Sequence, residues 1–211
     1  MTMETINFLA RWSHVLFGIT WIGMLYYFNF VQGGYFKAAT PEGLADAKEK
    51  LAPNALWWFR WGAMFTFLTG IILLGGVQHN GQWNNYIIIG SAMAVIMAAN
   101  VWMVIWPAQK IALGMEEGDS PAAAARALLA SRTNTLFSAP MLFGMLAGPH
   151  WPGYGYGTEV GGNGLLLSLV VIGMLELNGL KGRLGPLTTV RGVITSSLVL
   201  TLVFTVLINH V

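Results

Sequence analysis

Cysteine is absent from the 211-residue sequence, and charged residues are scarce. Without cysteine the chain forms no disulfide and binds neither zinc nor an iron–sulfur cluster through thiolates. Charged residues make up only 9% of the chain, whereas soluble domains carry about 25%. So few charges cannot cover a water-facing surface, and hydrophobic residues reach 55%. The composition therefore predicts an integral membrane protein.

The basic residues do not form a surface for nucleic acid. Eleven lysines and arginines are offset by nine acidic residues, which leaves a formal net charge of +2. The cations are also divided among several connecting segments rather than gathered in one patch. We therefore expect membrane lipid around the chain and no nucleic-acid partner.

Six apolar segments are candidates for helices that cross the bilayer, where a span needs about 20 residues. The fourth is the shortest and contains Pro140, which frees a backbone carbonyl inside a helix. It is kept because the alternation of charged loops requires it. We predict a single domain over residues 1–211, an all-α bundle of about six transmembrane helices. The spans lie at about 6–32, 57–76, 83–106, 135–148, 164–179 and 190–210.

The distribution of positive charge predicts the orientation of these spans. Apart from Arg11, every lysine and arginine lies in or beside the connections after the first, third and fifth spans. By the positive-inside rule these connections are cytoplasmic, so both termini are expected outside. Two of the connections are long enough for short surface helices, which we expect to begin at Thr40-Pro41 and Ser120-Pro121.

The first span carries the densest group of chemically capable side chains. Arg11, His14, Gly18 and Trp21 are spaced by three, four and three residues, which places them on one face of a helix. Imidazole is a common axial ligand of haem iron, and arginine can pair with a haem propionate. A glycine one turn from the ligand leaves room for the porphyrin. The pattern makes His14 a candidate metal ligand for haem b, with Arg11 and Gly18 as further cofactor-binding residues.

Two other interpretations of His14 remain open. It can be a neutral histidine that bonds to a neighbouring helix while Arg11 extends toward the outer interface, or it can serve a proton relay or another metal. The remaining three histidines are expected near the outer ends of spans, as interfacial residues. Among them His79 follows two glycines and can reach inward, so it is the candidate second haem-binding residue.

Several segments resemble one family, the membrane domain of bacterial urate hydroxylases, which are membrane urate oxidases linked to cytochrome c (the urate oxidase N-terminal family). The resemblance runs from about residue 10 to 151, and less clearly to the end. It is carried by RWSHVLFGITWIGMLYYFNF at residues 11–30, WWFRWG at 57–62, WPAQK at 106–110 and SRTNTLFSAPMLF at 131–143.

The resemblance implies a redox function in a bacterial inner membrane, with both termini in the periplasm. In the family a cytochrome c domain typically follows the membrane domain, which implies that electrons pass from urate to an external haem c. This sequence ends at Val211 without a CxxCH motif and so resembles a stand-alone membrane module with an external cytochrome c as partner. Arg60 and Arg132 are candidates for binding an anionic substrate, and no catalytic residue is identified.

One departure from the family pattern supports an alternative function. Gly62 stands where an acidic residue is expected after the aromatic and basic residues of WWFRWG. The chain is also rich in glycine, with 26 residues, which suits close helix packing. The alternative is therefore a non-catalytic accessory subunit of a larger membrane respiratory or oxidase complex.

Overall fold

The computed structural model describes residues 2–152 and 160–211, and these residues form helices and no strand. The predicted all-α class is confirmed. The connection between the predicted fourth and fifth spans, residues 149–163, was expected on the outer side. Its residues 153–159 lie outside the described part. The long helices are α1 (Met3–Ala38), α2 (Pro41–His79), α3 (Asn85–Ala112), α4 (Ser120–His150), α5 (Gly162–Lys181) and α6 (Val190–His210).

Local sequence determines where α2 and α6 begin. The hydroxyl oxygen of Thr40 accepts a hydrogen bond from the backbone N–H of Gly43 at 3.2 Å, and Pro41 occupies the first turn. Thr189 caps α6 in the same way, accepting from the N–H of Gly192 at 2.9 Å. The helix starts expected at Thr40-Pro41 and Ser120-Pro121 are confirmed, and the last span begins at residue 190 as predicted.

Prolines lie inside several of the long helices without ending them. Pro53 in α2 and Pro107 in α3 each lack the N–H that the helical ladder requires. Each follows a π-helical turn, Ala47–Leu51 and Asn100–Ile105 respectively, that ends two residues before the proline. Such turns rearrange the hydrogen bonds that a proline disrupts. The prediction of a separate short helix after the first span was therefore wrong, because that segment is the beginning of α2.

Among the described residues, five helices are long and apolar enough to cross a membrane: α1, α2, α3, α5 and α6. The 31-residue α4 is not one of them. Its central part is polar, yet residues 132–138 are all buried. Seven consecutive residues make almost two turns, so every face of α4 meets protein there. Enclosure by protein is the condition under which polar groups are tolerated in a membrane helix.

The chain divides into two compact units. The first contains Met1–Gly70 and Ala98–Ser131, and the second contains Ile71–Met97 and Arg132–Val211. In the first unit α1 approaches α2 closely at Gly62, where an added Cβ would lie 3.1 Å from the backbone nitrogen of Trp21. An acidic side chain at position 62 has no room in this contact, which gives a physical reason for the glycine.

In the second unit, polar side chains join α4 to its neighbours. Pro140 has no N–H to bond the carbonyl of Leu136, and the hydroxyl of Ser197 in α6 donates to that carbonyl at 2.8 Å. The side-chain amide of Asn134 donates to the carbonyl of Met97 in α3 at 2.9 Å. The expectation that Pro140 frees a carbonyl is confirmed, and α6 supplies the missing donor.

Two glycines allow α3 and α4 to touch through their backbones. A Cβ added to Gly144 would lie 2.7 Å from the carbonyl oxygen of Tyr86 and 3.1 Å from the Cα of Gly90. Contacts of this kind are typical of helix pairs in membranes, where small residues let backbones approach. The crossing fixes the position of α4 in the second unit.

Candidate functional site

His14 lies half-buried against α2 within the first unit. Its Nδ1 is 2.9 Å from the carbonyl oxygen of Thr66 and 3.1 Å from the hydroxyl oxygen of Thr69. A carbonyl oxygen only accepts, so the neutral ring carries its proton on Nδ1 and donates it to Thr66. The lone pair is then on Nε2, and that nitrogen is competent to bind a metal.

The predicted face of α1 is the face that packs on α2. Gly18 lies beside Thr66, whose methyl carbon would be 3.9 Å from a Cβ at position 18. His14 lies against Gly70, where a Cβ would be 3.2 Å from Cε1 of the imidazole. Room for the ring is therefore provided by Gly70 on α2, one turn beyond Thr66. Sequence reasoning did not identify Gly70, because only the three-dimensional contact relates it to His14.

The hydrogen bond of His14 is of a kind found in metal sites. A histidine that ligates a metal through one nitrogen usually donates its other N–H to a carbonyl or carboxylate, as His14 does to Thr66. Thr66 also packs beside Gly18 at ordinary van der Waals distance, and the haem-binding roles of His14 and Gly18 stay predictions. Arg11 is exposed, one turn before His14 on α1.

The other histidines lie in the second unit, each in the last turn of a helix. His79 ends α2, His150 ends α4 and His210 ends α6, and all three are exposed. Across residues 2–152 and 160–211, no three side chains of histidine, cysteine, aspartate or glutamate cluster as a metal site would require. The role of His79 as a second haem-binding residue stays a prediction.

Arg60 lines a cleft in the first unit with a volume of about 400 Å³. Its guanidinium carbon lies 3.9 Å from the ring centroid of Trp106, a cation–π contact. Its Nε is buried and makes no hydrogen bond. Lys50 and Asn54 also line the cleft. Trp106 is the first residue of the WPAQK segment, and the sequence alone did not associate this segment with Arg60.

Arg132 is buried in the second unit, with 8% of its surface exposed. Its Nε and Nη1 are buried without a hydrogen-bond partner. A buried cation is costly unless an anion or several acceptors compensate it. The two predicted anion-binding arginines thus lie in different units and different settings, one stacked in a cleft and one enclosed by protein.

A comparison with protein families identifies part of the chain. The model described as urate oxidase N-terminal matches residues 77–178, just under half of the sequence. Over these residues the chain is similar to the urate oxidase N-terminal family. No match is found among curated proteins or among solved structures.

The matched part of the chain contains two of the segments that carried the resemblance, residues 106–110 and 131–143. It also contains the crossing of α3 and α4 at Gly90 and Gly144, and Arg132. His14 and Arg60 precede it. The family similarity therefore rests on α3, α4 and α5, whereas the interpretation of His14 depends on its own geometry.

Proposed function

We propose that this chain is a membrane redox module of the urate hydroxylase type, which passes electrons toward an external cytochrome c. The similarity to the urate oxidase N-terminal family supports the reaction class. The observation that carries the proposal is His14, a half-buried imidazole in an apolar helix whose Nδ1–H is held by the Thr66 carbonyl. That arrangement directs the ligating lone pair to Nε2.

In the proposed site, His14 would bind the iron of haem b through Nε2, and the Thr66 carbonyl would fix the ring and its tautomer. Arg11, one turn nearer the helix start, would pair with a propionate. The haem, when bound, would supply one-electron transfer. The proposal keeps Arg11, His14, Gly18 and His79 as haem-binding residues, with Thr66 packed beside Gly18.

Arg132 is the preferred group for an anionic substrate. Its guanidinium is enclosed and has two nitrogens without partners, so a bound anion would relieve a cost that the free protein carries. Arg60 remains the second candidate, although its stacking on Trp106 already compensates part of its charge.

The proposal includes six spans, with α4 as the sixth, in a bacterial inner membrane. The uncharged outer connection 77–82 and the basic residues after the first, third and fifth spans support periplasmic termini. The enclosure of residues 132–138 supports α4 as a crossing helix, since its polar groups would be shielded from lipid.

A difference spectrum tests the haem. The chain would be purified in mild detergent after expression with added haem precursor, and the reduced-minus-oxidised absorption would be recorded. We expect a Soret change that is lost in His14→Ala and retained in His210→Ala, whose histidine is exposed in the last turn of α6. A wild-type protein without any Soret change would refute haem binding.

The accessory-subunit alternative is favoured by the same hydrogen bond, because the contact of His14 with Thr66 and Thr69 joins α1 to α2 without any cofactor. In that case His14→Ala would lower stability, by about 0.6 kcal/mol for a typical interhelical bond in membranes, with no spectral change. Isolation of a lone, folded chain that transfers electrons to cytochrome c would contradict the alternative.

A further inference from the structure

The Arg60 cleft lies where a charged lipid headgroup is expected. Residues 61–78 of α2 carry no charge, and at 1.5 Å per residue they extend about 27 Å. This is close to the thickness of the hydrocarbon core, about 30 Å. Arg60 is the last charge before that stretch, and the exposed Trp57 and Trp58 beside it are residues typical of the membrane interface.

The ion pairs near the cleft do not include Arg60 among the described residues. Two ion pairs occur among the described residues, Lys50 with Asp46 and Lys110 with Glu116. Both neighbouring lysines therefore have their own carboxylates. Arg60 has the face of Trp106 beneath it and no carboxylate partner within the part of the chain that the structure describes.

The hydrogen-bond donors of the cleft suit a phosphate group. A guanidinium presents a planar set of N–H donors that matches phosphate oxygens, and stacking on an aromatic ring holds that plane in position. Asn54 and Lys50 add further donors along the same wall, and Trp57 adds an apolar surface. Glu49 also lines the cleft and is exposed, so it opposes an anion.

We propose that the cleft formed by Lys50, Asn54, Arg60 and Trp106 binds the phosphate of an anionic phospholipid headgroup. Basic pockets beside membrane helices hold anionic headgroups, and each basic side chain near the surface contributes about 1 kcal/mol. The lipid is favoured over free phosphate because the cleft adjoins the apolar stretch 61–78, which an acyl chain would follow. The site is separate from the proposed haem site, and a lipid bound there would leave Arg132 as the group for the anionic substrate.

Native mass spectrometry of the detergent-solubilised chain, titrated with phosphatidylglycerol, tests the proposal. We expect Arg60→Gln to weaken binding about fivefold to tenfold. Arg126→Gln is the matched control, because it removes the same charge from an exposed position of the first unit, and it should leave binding within about twofold. Glu49→Gln should strengthen binding about twofold to fivefold by removing the opposing charge.

Two further titrations distinguish the ligand. Phosphatidylcholine should bind more weakly than phosphatidylglycerol, and inorganic phosphate should not displace the bound lipid. Equal binding of both lipids, displacement by phosphate, or equal losses in Arg60→Gln and Arg126→Gln would overturn the proposal. If Arg60→Gln does not fold, two other variants test the proposal. Arg60→Lys should retain part of the phosphatidylglycerol binding, and Glu49→Gln should bind phosphatidylglycerol more tightly than wild type. The haem spectrum is unaffected by either result.

Discussion

Substitution of Gly144 by alanine tests whether α4 is held against α3 as closely as the structure indicates. The new Cβ would lie 2.7 Å from the carbonyl oxygen of Tyr86 and 3.2 Å from the nitrogen of Gly90. Both are backbone atoms, so no side-chain rotation relieves the overlap and the helices must separate by several tenths of an ångström. Overpacking of this kind costs about 1–3 kcal/mol.

The size of the net effect depends on helix propensity, because alanine stabilises a helix by about 1 kcal/mol relative to glycine. Gly173→Ala in α5 is the matched control, since a Cβ there has no atom within 4 Å outside its own helix. The propensity gain is common to the two variants. Their difference in unfolding free energy should therefore equal the packing cost alone, about 1–3 kcal/mol.

Both variants would be unfolded by titrating SDS into mild-detergent micelles, with tryptophan fluorescence and far-ultraviolet circular dichroism as readouts. We expect Gly173→Ala to be at least as stable as wild type and Gly144→Ala to be the least stable of the three. Equal stability of the two variants would refute the close crossing of α3 and α4.

The remaining predictions concern a hydrogen bond and the orientation. Ser197→Ala should lower the unfolding free energy by about 0.6–1.7 kcal/mol, because the Leu136 carbonyl loses its donor. Thr205→Ala removes a bond to the carbonyl of Thr201 within α6 and should lower the unfolding free energy less. A larger loss in Thr205→Ala than in Ser197→Ala would contradict the structure. Because the chain has no cysteine, single substitutions Asn80→Cys and Glu117→Cys can be labelled with an impermeant maleimide. In cells with a permeabilised outer membrane Asn80→Cys should react and Glu117→Cys should not, and the opposite pattern would invert the proposed orientation.

Local chemistry allowed several elements to be predicted from sequence. Thr40 and Thr189 begin helices because a side-chain oxygen there satisfies a free backbone N–H, and this signal lies within four residues. The last span, 190–210, was predicted as an apolar segment and coincides with α6. The resemblance to the urate oxidase N-terminal family is confirmed over residues 77–178, which include the segments 106–110 and 131–143.

Features that depend on contacts between distant residues could not be predicted. Pro53 suggests a helix end, yet a π-helical turn lets α2 continue, and nothing in the adjoining sequence specifies that turn. His14 was correctly assigned to the face with Gly18, but its contacts with Thr66 and Gly70 required the packing of α1 on α2. Those contacts decide which imidazole nitrogen has a free lone pair for a metal. The metal-binding atom of His14 could therefore be assigned only from the three-dimensional structure.

The bond between Ser197 and the Leu136 carbonyl makes the completion of α4 depend on synthesis of the end of the chain. The two residues are separated by 61 positions. At about 5–20 residues per second, the ribosome needs roughly 3–12 s to add Ser197 after Leu136. During that interval the carbonyl freed by Pro140 must find water or another temporary donor. The packing of α4 within the second unit is therefore complete only after α6 has been synthesised.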